Sequence, residues 1–113
     1  MVLLRRELGD VLREKRQVQG RTLREVSASA SVSLGYLSEV ERGEKEASSE
    51  LLASICKALE LPVSQMLTDV ADRVSLAETA ERQLSTVLAD GLAKPIRHQA
   101  ITRAEPRMES SAA

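Results

Sequence analysis

The stretch TLREVSASASVSLGYLSEVERG, residues 22–43, decides how the rest of the chain is read. Thr22 followed three residues later by Glu25 is a capping box. The hydroxyl accepts the Glu25 backbone N–H and the carboxylate reaches back to the Thr22 N–H, so two donors at the start of a helix are satisfied. Leu23, Val26 and Ala30 then fall on one helical face. Ser33 caps a second helix, whose apolar positions Leu37 and Val40 face inward. Ala30-Ser31-Val32 leaves room for only a turn, with Val32 directed into the same core. Two short helices joined so closely cross at a steep angle, which is the helix-turn-helix geometry. Gly43 stops the second helix as a left-handed residue at its C-terminus.

An ordinary helical hairpin in a small bundle uses the same capping and periodicity. The outer face of the second helix separates the two readings. Ser33, Leu34, Gly35, Ser38, Glu39 and Arg42 make a surface of small and polar groups around one aromatic, Tyr36. A purely structural surface helix carries long charged residues and good helix formers. Gly35 in the first turn lowers helix propensity and needs a reason, such as close approach of another backbone. The pattern reads as a recognition helix.

The run Leu23-x-x-Val26-Ser27-x-x-Ala30-x-Val32-Ser33-x-x-Tyr36-Leu37-Ser38-x-Val40-Glu41-x-Gly43 resembles the phage-repressor, or Cro/C1 (Xre), helix-turn-helix family. That resemblance spans about residues 3–70. Within it, GRTLREVS…VSLGYLSEVERGEKEASSELLASICKAL, from Gly20 to Leu59, is similar to the actinobacterial regulators of Clp-protease genes. The resemblance implies an activator of genes for the ClpP subunits and their Clp ATPase partners, with RNA polymerase as a further partner. It also implies that Arg16 pairs with Glu41 and braces the first helix against the end of the third. Activation and repression are not separated by the residues themselves, because the outcome depends on where an operator sits relative to a promoter.

Length and composition agree with this reading. The chain has 113 residues, enough for one domain plus an appendage. It has one Tyr and no Phe or Trp, so the core is Leu, Val, Ile and Ala. No long β-branched alternating run appears, and the expected class is all-α. No apolar run approaches the roughly 18 residues of a membrane span. The N-terminus has no signal-peptide architecture, so a cytoplasmic protein without membrane partners is expected. Cys56 lies beside Ile55 in an apolar stripe and reads as a small buried hydrophobe. Net charge is −1 and says little, but residues 1–24 hold seven basic groups against three acidic ones. Residues 25–66 hold three basic and seven acidic groups. Phosphate contacts must draw on that modest positive end.

Helix 1 is expected over about Leu3–Val18, with Leu4, Leu8, Val11 and Leu12 as its buried stripe and Gly20 ending it. Helix 4 is expected over about Ser49–Leu59, with Leu52, Ile55, Cys56 and Leu59 facing the core. Pro62 suits the start of helix 5, which carries Val63, Met66, Leu67 and Val70. Together these make a five-helix domain over residues 1–70. Beyond it Val70, Val74, Ala77, Leu84 and Leu88 form a seam at helical spacing, interrupted at Glu81 and flanked by Ala80 and Val87. We expect residues 71–90 to be a dimerisation helix using Val70, Val74, Ala77, Leu84, Val87 and Leu88. Folding back on its own domain is the alternative. The last segment, residues 91–113, has two prolines and no sustained periodicity and reads as a flexible tail. Its terminal Ala112-Ala113 resembles the small apolar tags that Clp proteases accept, making a Clp protease a further expected partner. His98, in the same tail, has no implied acid, metal or nucleophile partner.

The function so expected is sequence-specific binding of double-stranded DNA by a homodimer on a palindromic operator. Base contacts are assigned to Ser33, Leu34, Gly35, Ser38 and Glu39. Leu34 suits a thymine methyl, Glu39 a cytosine amino group, and Ser38 either kind of base edge. Backbone contacts are assigned to Arg21, Thr22, Arg24, Tyr36, Arg42 and Lys45. A second class of function uses the same fold as a protein-interaction module, an antitoxin or adaptor. An enzyme has no support: there is no Gly-rich phosphate loop, metal-ligand spacing or nucleophile–base pair. No cofactor and no metal are expected.

Overall fold

The computed structural model describes residues 1–90, and the tail readings, including His98 and Ala112-Ala113, lie outside the described residues. Five helices occur among them and no strand: α1 (Leu4–Val18), α2 (Leu23–Ala30), α3 (Leu34–Glu41), α4 (Ser49–Ala58) and α5 (Val63–Ala89). Residues 1–79 form one compact unit, and Ala80 opens a second, whose described part is the last turns of α5.

Leu12, Leu37, Ile55, Leu59, Met66, Val26, Val40 and Cys56 are fully buried, so each of the five elements and the turn after α4 supplies the core. Val11, Ala30, Leu61 and Val70 complete it, with Leu8, Leu23, Val32, Tyr36, Leu52 and Val74 packed around the edge. In α1 the expected stripe begins one turn late. Leu4 is 61% exposed and lines an open groove with Leu8, Glu46 and Ala47. In α5 the expected Met66 and Val70 face inward while Val63 and Leu67 remain exposed. Val70, at 4% exposure, is therefore a core residue and is not available to a partner chain. The compact unit runs past Val70 because Val74 packs on the core and Arg73 is tied to α1. Arg73 reaches Glu7 at 3.1 Å, Asp10 at 2.9 Å and Glu14 at 3.8 Å.

Four helices end the same way. Gly20, Ser31, Gly43 and Glu60 have φ of 69, 59, 74 and 54°, all in the left-handed region. The next residue in each case donates its N–H back five positions: Arg21 to Arg16 O, Val32 to Ser27 O, Glu44 to Glu39 O and Leu61 to Cys56 O. These are Schellman closures, which satisfy carbonyls that the helix leaves open. The last carbonyls of α4 gain further donors, with Gln19 Nε2 on Leu59 O at 2.7 Å and Arg21 Nη1 on Ala58 O.

Gly9 sets the closeness of α1 and α3. A Cβ there would lie 2.5 Å from Val40 O and 2.6 Å from Glu41 O, both backbone atoms that cannot step aside. Only glycine permits that approach.

Candidate nucleic-acid interface

The start of α2 and the outer face of α3 meet in one shallow concavity, lined by Thr22, Leu23, Arg24, Leu34, Gly35 and Ser38. Capping places both helix starts. Thr22 Oγ1 accepts Glu25 N at 3.0 Å and Glu25 Oε1 accepts Thr22 N at 2.9 Å, so the expected capping box is present. Ser33 Oγ accepts Tyr36 N at 3.0 Å and opens α3. That bond leaves the Ser33 hydroxyl engaged as a cap. Leu37, Val40 and Glu41 point inward, while Leu34, Gly35 and Ser38 line the concavity. Among the described residues, nothing beyond the neighbouring turns of α3 lies within 4 Å of a Cβ built on Gly35, so packing among them does not require its glycine.

Beneath α3, Arg16 donates from Nε and Nη2 to the two carboxylate oxygens of Glu41 at 2.8 and 3.0 Å. Its remaining Nη1 donates to Arg21 O at 2.9 Å, and the hydrogen bond to Glu41 raises the guanidinium pKa above its ordinary value. Arg5 Nε adds a bond to Gly43 O at 2.9 Å. Helix α3 is thus held from α1 at both its buried carboxylate and its C-terminal turn.

The residues expected at DNA phosphates divide into four groups. Thr22 and Arg24 lie at the concavity, and the Arg24 guanidinium makes no hydrogen bond or ion pair among the described residues, while its carbonyl accepts from Ser27 Oγ at 3.1 Å. Arg42 and Lys45 lie at the far end of α3, each paired with a carboxylate. Arg42 binds Glu44, which lowers the Glu44 pKa, and Lys45 Nζ is 3.6 Å from Glu39 Oε1. Arg21 is directed elsewhere. Its guanidinium caps α4 at Ala58 O and meets Ser29 Oγ at 3.2 Å, in a separate cleft with Ser31, Ser54 and Lys57. Tyr36 is half-buried against the core, so its ring is partly structural. The sequence reading passed over Glu44 and Gly9. For Glu44 the available signal was Gly43, whose left-handed turn returns the next side chain toward Arg42.

Among the described residues no group of His, Cys, Asp and Glu is disposed to hold a metal, and no helix is long and apolar enough to cross a membrane.

Residues 7–68 match the family described as helix-turn-helix domain. The chain is 57% identical over 89 residues to the transcriptional regulator ClgR of Mycobacterium tuberculosis, spanning 79% of this chain and 80% of that protein. The crystal structure of the clp gene regulator ClgR from Corynebacterium glutamicum superposes with a TM-score of 0.72 and 44% identity, over 80% of this chain and 97% of that one. The restriction-modification controller protein C.Esp1396I, bound to a 25 base pair operator site, shares the fold, with a TM-score of 0.61 at 19% identity over 66% of this chain and 97% of that one. These likenesses define a helix-turn-helix regulator of the Cro/C1 (Xre) class. The chain belongs to that family and, within it, to the ClgR transcriptional regulators. Such proteins are regulators, not enzymes.

Proposed function

We propose that this protein binds a palindromic DNA operator as a homodimer and activates genes of Clp-dependent proteolysis in the cytoplasm. The observation that carries the DNA reading is the shared concavity. It joins the phosphate candidates Thr22 and Arg24 to the base-edge candidates Leu34, Gly35 and Ser38 on one surface. Gly35, with open space where a side chain would stand, suits close approach of a duplex rather than any need of the fold. Phosphate contacts position such a domain and base edges specify its site.

The dimer reading rests on α5. Leu84 is 60% and Leu88 70% exposed, and large apolar groups at helical spacing favour a partner helix. Val74, Ala77, Leu84, Val87 and Leu88 remain the interface candidates. A two-fold dimer sets recognition helices about 34–36 Å apart and half-sites about 10 bp apart. The Clp gene targets are supported by the name of the clp gene regulator ClgR of Corynebacterium glutamicum, and the activator role by the family resemblance alone.

Selection of bound fragments from genomic DNA in excess competitor tests the reading. Enrichment of a palindrome upstream of Clp protease genes is the expected result. An interaction module of the antitoxin or adaptor kind would enrich no sequence.

A further inference from the structure

The cations at the C-terminal end of α3 are already engaged. Arg42 Nε and Nη2 donate to Glu44 Oε2 and Oε1 at 3.0 and 2.9 Å, and its Nη1 donates to Ser38 Oγ. Gly43, at φ 74°, folds the chain so that the two side chains meet side by side. The pair is exposed, at 52% and 55%. Exposed pairs add little to folding, so stability does not account for this arrangement. Ser38, however, lies in the concavity with Leu34 and Gly35.

We infer that Glu44 is a specificity-determining residue, acting through Arg42 and Ser38; the inference rests on the DNA-binding reading above. Two consequences follow from the geometry. First, Arg42 occupies an acceptor site on the Ser38 oxygen, which leaves the Ser38 hydrogen free to point outward. With one of its two lone pairs taken, Ser38 is biased toward donation and favours a base acceptor in the major groove: guanine O6 or N7, adenine N7 or thymine O4. Second, Glu44 serves Arg42 as an internal counterion. Binding to arbitrary DNA is driven by release of counterions from phosphates neutralised by free cations. Arg42 can neutralise a phosphate only by giving up Glu44, whose charge would then face the DNA. The relay therefore withholds a cation from non-operator DNA while biasing the polarity of a base contact. Glu39 restrains Lys45 in a looser version of the same pairing.

The test measures affinity against salt concentration for two duplexes, the operator selected from genomic DNA and a shuffled version of it. The wild-type chain is compared with Glu44→Gln and Glu44→Asp. With Glu44→Gln, Arg42 turns to phosphate. Shuffled-duplex affinity should rise, its log–log salt slope should steepen by about 0.9, and the operator-to-shuffled ratio should fall about tenfold, the size of one weakened base contact. Glu44→Asp, which keeps the charge, should hold the ratio closer to wild type. Matched thermal melting of the variants shows that folding is not the cause. A wild-type ratio well above one, with slope and ratio both unchanged in Glu44→Gln, overturns the inference and leaves DNA reading intact. A wild-type ratio of one overturns the DNA reading itself and the inference with it.

Discussion

Arg16 and Glu41 form a bidentate ion pair between α1 and the end of α3, with side-chain exposures of only 13% and 5%. The face of α3 proposed to read bases is therefore held by a bond made from the buried face of the helix. Breaking such a pair from one end leaves a buried charge without a partner, which costs about 3–5 kcal/mol. Arg16→Met and Glu41→Leu should each lower the unfolding free energy from urea titration by an amount of that order. The double variant should recover much of the loss, because two apolar groups replace two charges. Equal losses in all three variants would show that the pair acts by packing alone.

Two glycines should respond in opposite directions. Gly9→Ala puts a methyl group against the Val40 and Glu41 carbonyls and forces α1 and α3 apart. A loss of about 1–3 kcal/mol is expected from overpacking, more than helix propensity restores. Gly35→Ala meets open space, so melting should hold or rise slightly. Operator affinity should nevertheless fall, as measured by retardation on the selected duplex. A Gly35→Ala variant with undiminished affinity would place α3 farther from the DNA than proposed.

Ser31 and Glu60 occupy left-handed conformations that glycine holds without a Cβ penalty. Ser31→Gly and Glu60→Gly should each stabilise the fold by about 0.5–1 kcal/mol, less whatever backbone entropy glycine adds to the unfolded chain. Thermal melting decides this. Glu60→Ala, which keeps a Cβ, should bring no such gain.

Cys56 is buried, and desolvation pushes its thiol up from its ordinary value. Native protein should react with a thiol reagent only as fast as it opens, and unfolded protein at once. The folded pKa lies above the unfolded one. Its contribution to stability is thus present below the ordinary thiol range and fades as pH rises through and beyond it. Rapid native labelling near neutral pH would show α4 to be mobile.

Dimerisation through α5 predicts that Leu84→Asp yields monomers whose residues 1–79 keep their helical content and melting cooperativity. Sedimentation of wild type and variant at micromolar concentration gives the answer. A wild-type monomer would remove α5 as the interface.

Much of the frame was legible because local chemistry decides it. The Thr22–Glu25 box, the Ser33 cap and the Gly20 and Gly43 stops act within a few residues and need no tertiary context. The Arg16–Glu41 pair came only with the family resemblance, since nothing local joins residues 25 positions apart. The differences are tertiary. Periodicity placed Leu4 on the apolar stripe of α1 but could not show that the stripe overruns the core. It grouped Val70 with the later seam, although that position is buried in the domain's own core. Arg21 looked like a phosphate ligand by its place before α2, yet the carbonyl end of α4 claims it. Gly9 carried no local signal, because its reason is the backbone of another helix.

The central claim is that α3 reads DNA sequence while the start of α2 holds the backbone. Operator selection run in parallel on wild type, Ser38→Ala, Glu39→Ala and Arg24→Ala tests it most directly. Ser38→Ala and Glu39→Ala should each relax or change the preferred base at a defined position in both half-sites, with about 1–3 kcal/mol of discrimination lost. Arg24→Ala should weaken every site alike and lower the salt dependence by about one counterion. Identical selected operators from wild type and both α3 variants would contradict the account.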